Sequence, residues 1–477
     1  MQYYLPSEPD TFVGDPMPFW HDGVFHIYYI LDHGHHSGNA GLGGHEWAHV
    51  STRDLRTWDR HPLAVRLGMA GGRKEESICT GSVCYHDGVL HAYYAVRLLE
   101  PSGPLRHTEH VCHASGSDGI TFTKDAGNPI LPPPAGYHPG GFRDPHVFAG
   151  PDGRFHMLVT TELVPERAPG LPMSNLGCIA HFTSDDLDAW NEEEPILVPG
   201  YASAPECPDW FAWNGWYYLT FLDDGLLRYR MSRDPFGPWH KPVADMLDGN
   251  LVAAMKTAAY SDDRRFAVGF VRSRENGHDE GDFDYAGNLV IREMVQDTDG
   301  TLWSTLPAEL MPETGGSLDY TIEAKHGDVS LDPAGVRIDA PDTLGVAAIS
   351  TSLREGIVRF TAHTDDASAF GLFFRSSDDM SVGYEARFRP RERMIWMQRI
   401  DGRRDAGNRV PDTALVGVKG LNRVECTLVL KDDLVDLSVN GRRTLIGRFP
   451  EWSADRLSLF CDHGSVVFEN LEMLPFA

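Results

Sequence analysis

No stretch of the 477 residues approaches the roughly 18 consecutive apolar side chains that a membrane-spanning helix needs. The opening residues, MQYYLPSEPD, hold neither a basic segment nor an apolar one behind it, so no secretory leader is visible. Basic residues are scarce: 42 Lys and Arg against 69 Asp and Glu leave a formal net charge of -27. That balance argues against nucleic acid and anionic membrane as partners, since both reward clustered cations. Cysteine is scarce too. Cys79, Cys84, Cys112, Cys178, Cys207, Cys426 and Cys461 are odd in number and lack any CxxC spacing. Free thiols in a reducing compartment fit this better than a disulfide framework or a zinc site, so a cytoplasmic protein is expected. Helix signals are few, and no low-complexity tract occurs.

What is abundant is turn chemistry: 48 Gly and 32 Pro. Five times in the first 300 residues a turn leads into a short aromatic-rich strand. The segments are HDGVFHIYYI from His21, HDGVLHAYYAV from His86, PDGRFHMLVT from Pro151, WNGWYYLTF from Trp213 and DDRRFAVGFV from Asp262. Each is followed by a strand, a polar turn and an aromatic, ending at Trp58, Phe122, Trp190, Trp239 and Trp303. Asp-Gly and Asn-Gly pairs are hairpin turns, and repeats spaced by roughly 50 to 65 residues are what propeller blades look like in sequence. A single blade cannot bury both faces, so five must close around an axis. Beyond about Leu318, segments such as GIVRFTAHT, FGLFFRSS and LVDLSVNG alternate apolar and polar residues, as an antiparallel sandwich does. The expected architecture is all-β: a five-bladed propeller over 1–306, a linker over 307–317 and a β-sandwich over 318–477.

In a propeller the innermost strand of each blade lines the central channel. Asp15, Asp144 and Glu206 stand about eight or nine residues before the turn glycines Gly23, Gly153 and Gly215, in three different blades. Three convergent carboxylates are what glycosidic cleavage needs: an acid to protonate the leaving oxygen and a carboxylate to attack or to activate water. At least one of them must have its pKa raised by burial or by its neighbours.

These motifs resemble glycoside hydrolase family 32, the β-fructofuranosidases that include invertases, levanases and inulinases. Gly14-Asp15-Pro16-Met17 stands for the family's Asn-Asp-Pro-Asn, Arg143-Asp144-Pro145 for its Arg-Asp-Pro, and Glu206-Cys207 for its Glu-Cys. EWAHVSTRDLRTWDRHPLAV from Glu46, CTGSV from Cys79 and DYAGNLVIRE from Asp284 match weaker family segments in order. The resemblance implies that Asp15 is the nucleophile, Glu206 the acid/base and Asp144 the residue that steadies the transition state. It implies a retaining mechanism, with the two reacting carboxyls about 5 to 5.5 Å apart. Asp32, Trp47, Thr80, Ser82, Arg143 and Tyr285 fall at positions expected to bind the sugar. Cys207 is read as a packing residue.

Four family positions are altered: Gly14 replaces Asn, Ile30 stands for a Gln with Asp32 for its neighbouring Asn, and Cys79 replaces Phe. Another furanoside, such as a D-arabinofuranoside, is therefore a chemical alternative to a terminal fructoside. Transfer to a second sugar, an inverting arabinanase-like enzyme and a non-catalytic sugar-binding propeller are further readings. His33, His35, His36, His45 and His49 invite a metal, but no matching acidic motif accompanies them. They are read as loop histidines at the tunnel mouth, with no metal and no cofactor. The expected partner is a small carbohydrate, and oligomeric state stays open.

Overall fold

In the computed structural model, residues 3–36, 41–223, 225–261, 263–332, 335–400 and 412–477 are described. Asp262, where the fifth sequence repeat begins, lies outside them. The chain forms five antiparallel blades and then a sandwich, as its repeats imply. The blades begin with the strands Thr11–His21, Arg73–His86, Arg143–Ala149, Glu206–Trp213 and Val252–Tyr260. Within each blade consecutive strands pair as neighbours. The hairpins at Asp22-Gly23, Asp87-Gly88 and Asn214-Gly215 have positive φ at both central residues, the geometry whose twist matches antiparallel strands.

Alternate residues of each blade's second strand pack against opposite neighbours. Tyr94 joins Trp47 and Ile30 of the first blade, whereas Tyr93 joins Val147 and Met157 of the third. Leu158 turns to Leu219 and Phe221 of the fourth. Tyr218 meets Val252 and Ala267 of the fifth, and Phe266 and Phe270 meet Phe25 and Ile27 of the first. The period-two alternation of a strand thus serves two interfaces at once. Backbone pairing closes the ring: Val13 pairs with Gly287, and Tyr4 with Leu289.

One irregularity recurs. The first strand of every blade slips register against the second, at Gly14/Pro16, Ile78/Gly81, Arg143/His146, Glu206/Asp209 and Ala253/Lys256. These are β-bulges, which bend a strand and re-aim its side chains. The half-buried Trp58, Trp190 and Trp239 pack against the interfaces between blades.

The second half forms a twelve-stranded sheet system in which Arg456–Pro475 pairs with three other strands. Its core joins residues such as Ile338, Phe360, Phe370 and Leu459. A buried polar knot fastens it to the propeller. Arg292, in Phe283–Gln296, donates to both oxygens of Asp436 at 2.7 and 2.9 Å and to Asp248 at 2.7 Å. Thr444 and the Tyr3 hydroxyl donate to the same two carboxylates, so the charges are paired and fully hydrogen-bonded, as burial requires.

Candidate active site

The bulges put their residues around one cavity of about 360 Å³, lined by Asp15, Thr80, Arg143, Asp144 and Glu206 among others. Ladder register refines the spacing read from sequence. Arg143 pairs with Thr160 and Glu206 with Leu222, so Glu206 is equivalent to Arg143, and Cys207 to Asp144. Asp144 and Cys207 share the same positive φ, 56° and 50°. The acids of blades three and four are therefore offset by one residue. Both still reach the cavity because a bulge opposes two residues to one and frees the pair from strict alternation.

Asp15 lies half-buried, with its Oδ2 accepting a hydrogen bond from the Thr80 hydroxyl and lying 4.0 Å from the Cys207 sulfur. Burial, and then the nearby charge of Asp144, push its carboxyl up to about 6 from an ordinary 3.8; the Thr80 bond opposes the rise and Glu206 adds to it. Asp144 is buried and accepts from the Cys207 backbone N–H at 3.0 Å. Glu206 is more open than Asp144, its side chain 39% exposed against 4%, and it receives Arg143 at 2.8 Å. Arg143 also lies 3.4 Å from Glu109 and 3.9 Å from Asp144. Burial works against its charge, but these three carboxylates hold its pKa well above the ordinary guanidinium value. Burial, and then the charges of Asp144, Asp15 and Glu206, push the Cys207 thiol far up, which keeps it protonated and fits packing rather than attack.

The other sugar-contact candidates divide. Thr80, Arg143 and Tyr285 line the cavity. Trp47 does not: it is fully buried behind the wall, donating its Nε1–H to the Cys79 carbonyl at 2.9 Å and packing against Tyr94. Ser82 is buried as a staple between blades, donating to the Pro145 carbonyl at 3.0 Å and accepting from Val147 N–H at 2.9 Å. Asp32 is wholly buried beneath the wall, where one oxygen accepts from the His36 backbone N–H at 2.7 Å and meets His45 Nε2 at 2.9 Å. Each of the three is claimed by packing or by a neighbouring polar group instead of facing the cavity.

Of the five histidines, His36 and His45 line the cavity. His35 stacks on Phe12 and contacts the Tyr285 carbonyl, His49 is buried against His26, and His33 is exposed. Asp32, His36 and His45 bring potential metal-ligating atoms within 4.8 Å of one another. The Arg97 guanidinium stands 2.9 Å from His36 Nε2, and its positive charge opposes a cation there.

Two features escaped the sequence reading. Arg97 and Glu109 form a cross-strand pair at 3.0 Å, and Glu109 anchors Arg143 from behind. The only sequence signal was a charge of each sign, Arg97 in a mostly apolar strand and Glu109 in the polar, histidine-rich strand that follows it. The second feature is what fills the space left by Gly14. A Cβ there would lie 2.6 Å from the Tyr285 hydroxyl and 3.0 Å from its ring. The side chain absent from position 14 has been exchanged for the phenol of Tyr285.

The family 32 profile for glycosyl hydrolases, N-terminal domain, matches residues 7–304. The chain is 24% identical to the raffinose invertase of Escherichia coli over 97% of its own length and 92% of that protein. It is 22% identical to the levanbiose-producing levanase of Bacillus subtilis (strain 168), over 98% and 90%. Among solved structures, exo-inulinase from Aspergillus awamori aligns with a TM-score of 0.72 at 17% identity, covering 100% of this chain and 98% of that one. Fructan 1-exohydrolase IIa from Cichorium intybus gives 0.70 at 15%, covering 100% and 97%. The protein is thus a glycoside hydrolase built as a β-propeller carrying a β-sandwich. It belongs to glycosyl hydrolase family 32.

The close packing at Gly14 makes a prediction. Gly14→Ala overfills the site and is expected to lose about 1–3 kcal/mol in denaturant unfolding. Adding Tyr285→Phe removes the nearest atom and recovers part of that loss. Strictly additive losses in the double variant would show that the two positions do not share this space.

Proposed function

We propose that the chain is a retaining β-fructofuranosidase acting on terminal fructosyl units of sucrose-like or fructo-oligosaccharide substrates. Three carboxylates delivered by three blades to one cavity, in a family 32 chain, carry the reading. Asp15 attacks the anomeric carbon while Glu206 protonates the departing oxygen. Glu206 then acts as base, and water releases the sugar with retention. Asp144, held by the Cys207 N–H, accepts hydrogen bonds from ring hydroxyls in the transition state. Arg143 keeps Glu206 in position. The elevated carboxyl of Asp15 is ionised above about pH 6, so attack is available at neutral pH.

The altered wall of Gly14, Ile30 and Tyr285 supports a second reading, in which the same acids cleave a D-arabinofuranoside. That sugar shares much of the ring stereochemistry of fructofuranose and lacks the hydroxymethyl group on the anomeric carbon. The division into 1–306, 307–317 and 318–477 is proposed as well. Leu302–Thr305 still pairs within the fifth blade, and Ile322–His326 pairs within the sandwich, which supports it. No described helix is long and apolar enough to cross a membrane. All seven cysteines are free, six of them buried, which supports a reducing, cytoplasmic setting.

Product release should be measured on sucrose, inulin- and levan-type oligosaccharides and aryl D-arabinofuranosides. Fructose release is expected, abolished by Asp15→Ala and by Glu206→Gln with the fold intact. Activity confined to arabinofuranosides would overturn the fructosidase reading, and full activity in either variant would overturn the catalytic assignment.

The pH profile offers an independent check. The acid limb of kcat/KM should fall near pH 6, where Asp15 gains its proton. Thr80→Val removes a hydrogen bond that favours the ionised carboxylate, so the limb should move up by about one pH unit. A downward shift would show that Thr80 does not act on the ionised form.

A further inference from the structure

Three blades repeat one pair of histidines. His26, His91 and His156 each stand three residues after a turn glycine, Gly23, Gly88 and Gly153. Each meets a histidine on the next strand of its own blade, Nδ1 to Nε2: His49 at 3.0 Å, His113 at 3.0 Å and His181 at 2.9 Å. The two rings are stacked each time, with centroids 5.1, 5.2 and 5.2 Å apart. The register agrees as well, since Tyr28, Tyr93 and Leu158, two residues after the first histidine, stand opposite the second. In the fourth blade Tyr218 and Tyr229 hold these two places, and in the fifth Phe266 and Ile291 do.

Each pair sits against a turn of the following blade. Tyr28 stacks on His49 at 4.4 Å and donates to the Gly119 carbonyl of the second blade at 2.6 Å. Tyr93 packs on His113 at 4.9 Å and donates to the Leu187 carbonyl of the third at 3.1 Å. Phe236 of the fourth blade stacks on His156 at 4.5 Å. The charged neighbours differ from pair to pair. Around the first stand His61, stacked on His49 at 4.3 Å, with His21, Arg53 and Asp59 of the same blade and Asp118 of the next. Among the described residues no carboxylate bonds to either of its rings. His113 meets Asp125 at 3.5 Å, with His86 and Asp188 near His91. His156 meets Asp152 at 2.9 Å, with Glu193 and Arg154 near His181.

One hydrogen serves the two facing nitrogens of a neutral pair; when both rings are protonated, N–H is set against N–H. Burial, and then the neighbouring histidines, hold His26, His91 and His181 at about 4 and His49 at about 2, down from an ordinary 6.5. The folded chain therefore binds fewer protons here than the unfolded one. The stability these pairs contribute is complete above about pH 6.5 and is lost as pH falls toward about 4. We propose that the three pairs form an acid-sensitive latch: on acidification the interfaces among the first four blades take up protons and part, beginning beside the first pair, while those on either side of the fifth blade stay closed. Asp15, Asp144 and Glu206 come from the first, third and fourth blades, so this parting separates the three carboxylates.

Hydrogen exchange read by mass spectrometry on the wild-type protein tests this, with rates at about pH 7.5 and about pH 5 corrected for intrinsic exchange. On acidification Val24–His33 and Glu46–Thr52 should lose protection first, by about tenfold or more, while Arg264–Arg274 and the sandwich strand Arg456–Pro475 keep theirs. His26→Asn combined with His49→Gln puts an amide hydrogen bond in place of the ring pair and takes up no proton. It should lower the midpoint of acid unfolding, followed by tryptophan fluorescence, by about half a pH unit. The raised carboxyl of Asp15 acts on stability with the opposite sign, but it is common to wild type and variant and cancels in their difference. Protection lost first in the fifth blade or the sandwich, or everywhere in one step, overturns the proposal. A folded variant whose acid midpoint equals that of the wild type also overturns it, and if the variant does not fold the exchange pattern decides alone.

Discussion

Closing five blades around one axis forces their first strands to converge, and the bulge in each strand turns that convergence into a site. A regular strand would send only every second side chain toward the channel. The bulges at Asp15, Cys79-Thr80, Asp144 and Cys207 break this rule and let adjacent residues share one cavity. Three acids, the threonine that holds one and the arginine that holds another thus meet without any helix or long catalytic loop. In the fifth blade the bulge carries Ala253 and Ala254, which add apolar wall and no charge.

Bringing carboxylates together in a half-buried space costs free energy, and the structure shows where that cost falls. Asp15 has a carboxyl near 6 instead of 3.8, so its ionised form is disfavoured by roughly 3 kcal/mol relative to the unfolded chain. The sign follows from the direction of the shift: the fold loses this stability as pH rises from about 4 to about 6 and keeps it below. The proposed attack asks for the opposite protonation state, so on that reading Asp15 is ready only where it strains the fold most. Arg143, bracketed by Glu206, Glu109 and Asp144, offsets part of the crowding, and Glu109 is itself held by Arg97.

Much of this was legible in the sequence because it is local. Asp-Gly and Asn-Gly turns, strand alternation and the place of an acid before three of the turns lie within about ten residues of one another. What failed was anything decided by partners distant in the chain. Trp47, Ser82 and Asp32 look like sugar contacts in a row of letters, yet Cys79, Pro145 and His45 occupy them. The one-residue offset of Glu206 shows only in the ladder register. Gly14 reads as a lost contact until Tyr285, some 270 positions later, is found in its space.

The covalent bond proposed for Asp15 can be trapped directly. An activated aryl furanoside of the sugar that the enzyme turns over should be mixed with Glu206→Gln protein, which keeps the nucleophile and lacks the base that clears the intermediate. After an acid quench, peptide mass spectrometry should find one added glycosyl unit on the peptide carrying Asp15, and none when Asp15→Ala is combined with it. An adduct on another residue, or turnover that inverts the anomeric centre with no adduct, would contradict the account.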